Sequence, residues 1–407
     1  MEPQETLYPA PEEQENPFPT FARLRREEPI RQVPGHGHYL VTRYEDVAHV
    51  FRHPEVFSSE RAYSALQTFN TLGAQTAGET DVPSNLMETD PPRNEAQRQL
   101  CFRPFTPGKL KGYEDHIRAI ADELIDGFVD RGSCDFSKEF ARPLPTFVTS
   151  DIMGLPRSRR ELLEQWGSLE VGVVYLSPER VEWQQRVSLE VAAFLEEEVR
   201  ARYENPREDA LTLIVQGQVK RDGELNLPYL MSELSVVIAG GVITTAHLMA
   251  SSMALLCENP EQMALVREDY SRLPGMLEEA MRLESPAQWL VRRAVVDTEL
   301  SGVKIPADSI LLTLVTSANR DDARFDDPDR FDVGRANAKD HLAFGLGPHF
   351  CLGAPLARLE TRIAWERLLT RLGEIELSEE SDLSHKASPN FRAPNRVCIN
   401  FTAKEEG

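Results

Sequence analysis

Positive charge is in short supply in this chain: 45 Lys and Arg stand against 66 Asp and Glu, a formal net charge of −21. So acidic a balance disfavours nucleic acid or an anionic membrane as a partner and keeps a chain soluble. Cysteine is scarce too. The five, at 101, 134, 257, 351 and 398, are odd in number, scattered and without a CxxC pair. That argues against a disulfide framework and against a structural zinc site. No apolar run reads as long enough to span a bilayer. The N-terminus, MEPQETLYPAPEEQENPFPT, is acidic and proline-rich where a signal peptide would be basic and then apolar. These absences predict a cytoplasmic protein with neither nucleic acid nor membrane as partner.

What is present is mostly helical periodicity. Length alone suggests two or three ordinary domains. Residues 29–59 read as short strands and one helix, with alternation in HYLVT and amphipathic spacing in YEDVAHVFR. Residues 61–86 lack periodicity and predict a long loop or lid. Helix-length patterns lie near 113–130, 160–170, 179–203, 229–256, 260–270, 274–284 and 354–372, with loops expected at 201–209 and 218–228. Alternation within 287–313 predicts strands. Helices and strands are segregated, which predicts an α-rich α+β fold.

One stretch carries chemistry, HLAFGLGPHFCLGAPLARLE from His341 to Glu360. Gly345, Gly347 and Gly353 around Cys351 allow a tight turn passing close to something flat. Pro355 suits an opening helix, whose amide hydrogens and dipole favour a thiolate on Cys351. The pattern Phe344-Gly345-x-Gly347-x-His349-x-Cys351-x-Gly353 resembles, at every defined position, the haem-binding signature of the cytochrome P450 family. The resemblance implies that family's fold, a triangular, mostly helical body with a smaller β-rich region. It implies an acidic tail over 1–16, one haem-thiolate domain over 17–407, and haem b with Cys351 as axial ligand.

Further segments are similar to the family in order and spacing. Glu279 and Arg282, three apart on one helix face, match its ExxR. The resemblance implies a buried ion triad with Arg330 of Pro328-Asp329-Arg330-Phe331. In the apolar run MSELSVVIAGGVITTAHLMASSMALLC, Gly240, Gly241, Val242, Thr244 and Thr245 match the oxygen-binding kink. Gly241, Thr244 and Thr245 are the implied catalytic positions. Ile243 departs, standing where the family carries the acid of its proton relay. Water ordered by Thr244, a group such as His247, or chemistry that needs less proton delivery are the alternatives. Asp90-Pro91-Pro92-Arg93-Asn94 to Arg98 resembles a propionate-binding segment, with Asn94 in place of its histidine; Arg292 and His349 match two more such contacts. Ala318-Asn319-Arg320-Asp321 is a further match. The implied substrate pocket draws on the 61–87 lid, 166–177, the long helix, 287–291 and the turn at 389–391, with Phe69, Met87, Gly240, Ile243, Gln288, Trp289, Leu290 and Phe391 as lining. That lining suits a small hydrophobic substrate, terpenoid, steroid or other secondary metabolite.

The implied activity is a monooxygenase inserting one atom of O2 by hydroxylation or epoxidation. Electrons would come from NAD(P)H through a reductase and a ferredoxin. Arg103, Lys109, Lys111, Arg358 and Arg362 form a candidate basic patch for that ferredoxin. The alternative, suggested by Ile243, is a peroxygenase or a coupling or rearrangement enzyme; a haem-containing binding protein without turnover is a third reading.

Overall fold

The computed structural model describes residues 15–33, 37–65, 83–167, 178–385, 388 and 390–404. Its spine is the helix Leu227–Glu258. Asn226 starts it, its side chain accepting the Tyr229 N–H at 3.2 Å, and Pro228 follows where no N–H is needed. By length and composition this helix could cross a membrane, so the expectation that no run is long enough does not hold. The fold uses that apolar length internally. Residues from Leu230 to Leu256 are buried on several faces. Helices Pro143–Met153, Pro178–Glu204, Leu273–Leu283 and Ala354–Arg371 pack against it.

Beside this body lies a five-stranded sheet in the order Ile30–Gln32, Tyr39–Val41, Ile310–Leu314, Trp289–Ala294, Phe57–Ser58. Only the pairing of Tyr39–Val41 with Ile310–Leu314 is parallel. The period of two along Trp289–Ala294 divides its side chains between two cores. Trp289 and Val291 pack with Phe21, Leu24 and Leu312; Leu290 and Ala294 face Phe51 and Leu342. Trp289 is therefore a core residue and not pocket lining: strand alternation turns it away from the cysteine loop that Leu290 faces.

Four helices of ten residues or more fall outside the sequence expectations, Phe18–Glu27 and Arg93–Phe102 among them. Ala210–Asp222 starts at its N-cap Asp209, which accepts the Thr212 N–H at 2.7 Å, and its last turn covers residues expected to be loop. Pro143–Met153 is buried on nearly every face, so no amphipathic period marks it.

Helix Leu273–Leu283 carries Glu279 and Arg282, whose side chains have no exposed surface. Arg282 donates from Nε and Nη2 to the two oxygens of Glu279 at 2.7 and 2.8 Å, a fork-to-fork pair. Its remaining N–H groups reach the carbonyls of Asn319 at 2.9 Å, Pro328 at 2.6 Å and Arg330 at 3.2 Å. The third charged member is Arg335, which donates from Nε to Glu279 at 2.9 Å. Arg330, the expected partner, is exposed and contributes its backbone carbonyl alone. The reason is local. Phe331 is anchored in the core, which leaves its neighbour facing water, and the turns that follow bring Arg335 back over Glu279.

We expect Arg335→Ala to cost about 3–5 kcal/mol in denaturant unfolding, because it strands a buried carboxylate. Arg330→Ala should stay within about 0.5 kcal/mol; equal losses would return the role to Arg330. Burial raises Glu278 and Glu284, but Arg358 and His341 on the first, and His385, Arg392 and Arg320 on the second, more than offset it and hold each carboxyl at about 2. Such stability is present above the unfolded value of 4.5 and lost as pH falls from there toward 2. Glu284→Gln should therefore flatten the acid limb of a thermal-midpoint-against-pH curve; an unchanged limb would place the acid sensitivity elsewhere.

Candidate active site

The loop between Leu342 and Ala354 is shaped by glycine. Gly347 has φ +68°, and a Cβ there would come within 2.6 Å of the Phe51 carbonyl oxygen, so this position requires glycine on both counts. Gly345 shares the left-handed conformation. The Cys351 N–H donates to the Phe344 carbonyl at 2.8 Å and closes the turn. Asn319 fastens the loop to the ion network. Its Oδ1 accepts the Leu342 N–H at 2.7 Å, its Nδ2 donates to Ser285 Oγ at 2.8 Å, and its carbonyl is held by Arg282.

Burial pushes the Cys351 thiol up. The N–H groups of Gly353 and Ala354 at the start of helix Ala354–Arg371, with Arg98 and Arg358 nearby, pull it down. Burial also raises the other four cysteines, Cys257 to about 12, and none of them has backbone N–H groups on its sulfur. Cys351 is thus the thiol with a local environment for negative charge.

Around it gathers an excess of positive charge. Arg98 has no hydrogen-bond or ion-pair partner among the described residues and is acted on by Cys351. Arg292, 5% exposed, lies over the Phe51 ring and donates to the Val291 carbonyl at 2.7 Å. Both guanidiniums act on His349, whose buried Nε2 lacks a hydrogen-bond partner. Burial and these two arginines lower His349, against Asp90, which lies 3.9 Å away. Asp90 is already engaged by Ser58 Oγ and the Ser59 N–H at 2.5 and 2.9 Å. Asn94 does not join this group. Its Nδ2 donates to the Leu86 carbonyl at 2.7 Å, and its Oδ1 has no partner. The shorter amide is spent on the neighbouring segment.

On the long helix, positions 237, 240, 241, 244 and 247 make one stripe that is not buried, in the middle of an otherwise interior helix. Beyond Gly240 no described residue comes within 4 Å of a built Cβ; Gly241 instead sits against Thr149 Oγ1 at 3.4 Å. Gly240 is thus the open position and Gly241 a packing one. Thr244 Oγ1 donates to the Gly240 carbonyl at 2.6 Å within an unbroken helix, and Ile243 and Thr245 are buried. Phe391 lies edge-on to His247 at 5.9 Å. Gln288 is turned away to the Ser388 carbonyl at 3.1 Å, while Met87 is 38% exposed. Phe69, most of 166–177 and residue 389 lie outside the described residues.

Sequence reasoning missed Glu360. It is 1% exposed, its Oε2 has no partner, and burial, only partly offset by Thr245, pushes its carboxyl up to about 8. A signal existed: Leu356, Glu360, Ile363 and Ala364 share one apolar helix face, which places a carboxyl in the core.

Residues 179–390 match the family model for Cytochrome P450. The chain is 34% identical to Cytochrome P450 107B1 of Saccharopolyspora erythraea over 367 residues, 89% of each chain. It is 33% identical to a Steroid C26-monooxygenase of Mycobacterium tuberculosis over 353 residues, 86% of this chain and 90% of the other. The solved structure of Cytochrome P450 CYP109Q5 from Chondromyces apiculatus superimposes with a TM-score of 0.86 at 35% identity, covering 98% of both chains. The helical body with a β-rich region, the glycine-pinned cysteine loop and these likenesses agree. The chain belongs to the cytochrome P450 family, oxidoreductases that hold haem b by a cysteine thiolate and act as monooxygenases.

Proposed function

We propose that this chain is a haem-thiolate monooxygenase acting on a small hydrophobic metabolite of the steroid or terpenoid kind. The observation that carries the reading is Cys351, a thiol with two backbone N–H groups and two arginines, facing unpaired positive charge. That donor set fits haem b: a thiolate for the iron, and Arg98, Arg292 and His349 for the two propionates. Haem bound there supplies the O2-activating redox chemistry. Cys351 fixes its position and Gly353 keeps the helix entry clear. Gly240 leaves room on the opposite side, with Phe391 and Met87 as apolar lining that orients substrate and excludes water. The relative named as a steroid C26-monooxygenase supports the substrate class.

Proton supply is the chain's own variation. Ile243 cannot hold a proton. Glu360 keeps one at neutral pH, because its carboxyl lies near 8, and it bonds Thr245, next to Thr244. Thr244 and Glu360 together take the part of the missing acid. Electrons come from a ferredoxin. Arg358 is held by Glu278 at 2.6 and 2.9 Å, and Arg362 by Glu366 at 2.5 Å. Exposed Arg103, Lys109 and Lys111 are left as the mobile charges of the docking patch. A peroxide-driven reaction is the second reading, favoured by Ile243 alone.

A spin-state titration of the haem-loaded protein tests the proposal. A steroid or terpenoid should drive a low- to high-spin shift, and Cys351→Ala should abolish the thiolate signature of the carbon monoxide complex. An unchanged carbon monoxide spectrum in that variant would remove Cys351 from the role. Thr244→Ala and Glu360→Gln should each lower product per reductant by about two- to tenfold, less than the ~10²-fold owed to a sole general acid, because water can enter. Faster turnover with peroxide than with ferredoxin would favour the second reading.

A further inference from the structure

The long helix carries a buried acid, Glu233, that the proposed reaction does not use. Its side chain is fully buried, yet no arginine or lysine among the described residues bonds it. It is held instead by the segment that covers it. Oε2 accepts the Leu86 N–H at 3.1 Å and Oε1 accepts Gln97 Nε2 at 2.8 Å. The same segment is stitched by Gln97 Nε2 to the Ser84 carbonyl at 3.0 Å, by Asn94 Nδ2 to the Leu86 carbonyl, and by Thr89 Oγ1 to Gln97 Oε1. Ser232 Oγ, beside Glu233, donates to the Pro83 carbonyl at 2.7 Å.

Glu233 lies seven residues before Gly240, two helical turns away on the same face, about 10 Å along the axis. One end of the stripe is therefore roofed by residues 83–89, while Gly240 has no neighbour over it among the described residues. Where the roof stops decides how much of the stripe a substrate can reach. We propose that Glu233 is a positioning residue for substrate: its carboxyl group clasps Leu86 and Gln97, sets how far residues 83–89 extend over the long helix, and so sets the depth of the pocket above Gly240. This rests on the reading of the Gly240 stripe as the substrate face.

The clasp has a chemical signature that a merely structural contact lacks. Burial pushes Glu233 up to about 7, against the bonds from Leu86, Tyr229 and Gln97. The ionisable groups around it are Tyr229 on its own helix, Cys101 on helix Arg93–Phe102, and Arg221 on helix Ala210–Asp222, which is engaged by Asp222 and Tyr229. A released Glu233 in water returns to the ordinary value of 4.5, so clasping binds a proton and rising pH favours release.

Hydrogen exchange of the haem-loaded protein, corrected for intrinsic rates, tests this. Between pH 6 and pH 8 the wild-type 83–97 peptides should lose about tenfold in protection. Glu233→Gln should remove that pH dependence and change the spin-shift affinity for a steroid panel severalfold. Ser232→Ala, away from the carboxylate, should loosen the segment yet keep the pH dependence, which keeps the test open even where Glu233→Gln fails to fold. A wild-type segment without the excess pH dependence, or one retained in Glu233→Gln, overturns the clasp. Altered exchange with every ligand affinity unchanged overturns the positioning role. Failure of the haem-site reading shows separately, as an unchanged carbon monoxide spectrum in Cys351→Ala.

Discussion

The site hangs on one buried charge network. Glu279, Arg282 and Arg335 meet where almost no water reaches, so each charge must be matched by protein. The match draws in the carbonyls of five residues, Asn319, Asp326, Asp327, Pro328 and Arg330, because two guanidiniums have more N–H groups than one carboxylate can accept. That surplus is what ties the helix to the loops. Asn319 passes the constraint on, holding Ser285 with one end of its amide and the first residue of the cysteine loop with the other. The loop's shape is thus decided some distance from its sulfur.

At the sulfur the balance is reversed. Arg98 and Arg292 outnumber Asp90, and the serines already occupy Asp90. Buried positive charge without a carboxylate is costly unless an anionic group completes it, and the propionates of haem b would do so. Arg98, together with Arg358, also lowers the cost of a thiolate on Cys351, against the burial that raises it. Through Arg98, cofactor fit and ligand ionisation share one electrostatic cause.

The long helix concentrates the chain's departures from its family pattern. Ile243, buried beside the open stripe, stands where the family pattern has an acid, while two other acids lie at this helix. Glu360 comes from the helix that follows Cys351 and meets Thr245; Glu233 belongs to the long helix and is roofed by another segment. Both are neutral or half-neutral near pH 7 for the same reason, burial without a bonded cation. Substituting Asn94 for a propionate-binding side chain fits this picture, since its amide serves the roof that Glu233 clasps.

By itself the sequence determined the helical body, the β-rich region and the cysteine loop. Local patterns carry those: period 3.6 in the long helices, alternation in 287–313, and glycines at positions where a Cβ would meet backbone. It also placed Glu279 with Arg282, because three-residue spacing is a property of one helix. Only the tertiary structure decided which arginine joins them, since Arg330 and Arg335 lie in the same irregular stretch and the turn geometry selects between them. It alone turned Trp289 into the core and Leu290 toward the loop, as strand phase depends on which neighbour each face meets. It alone brought Glu360 to Thr245 and Leu86 to Glu233, contacts between residues more than a hundred positions apart. No local pattern encodes such pairs, because they form only when separate helices pack.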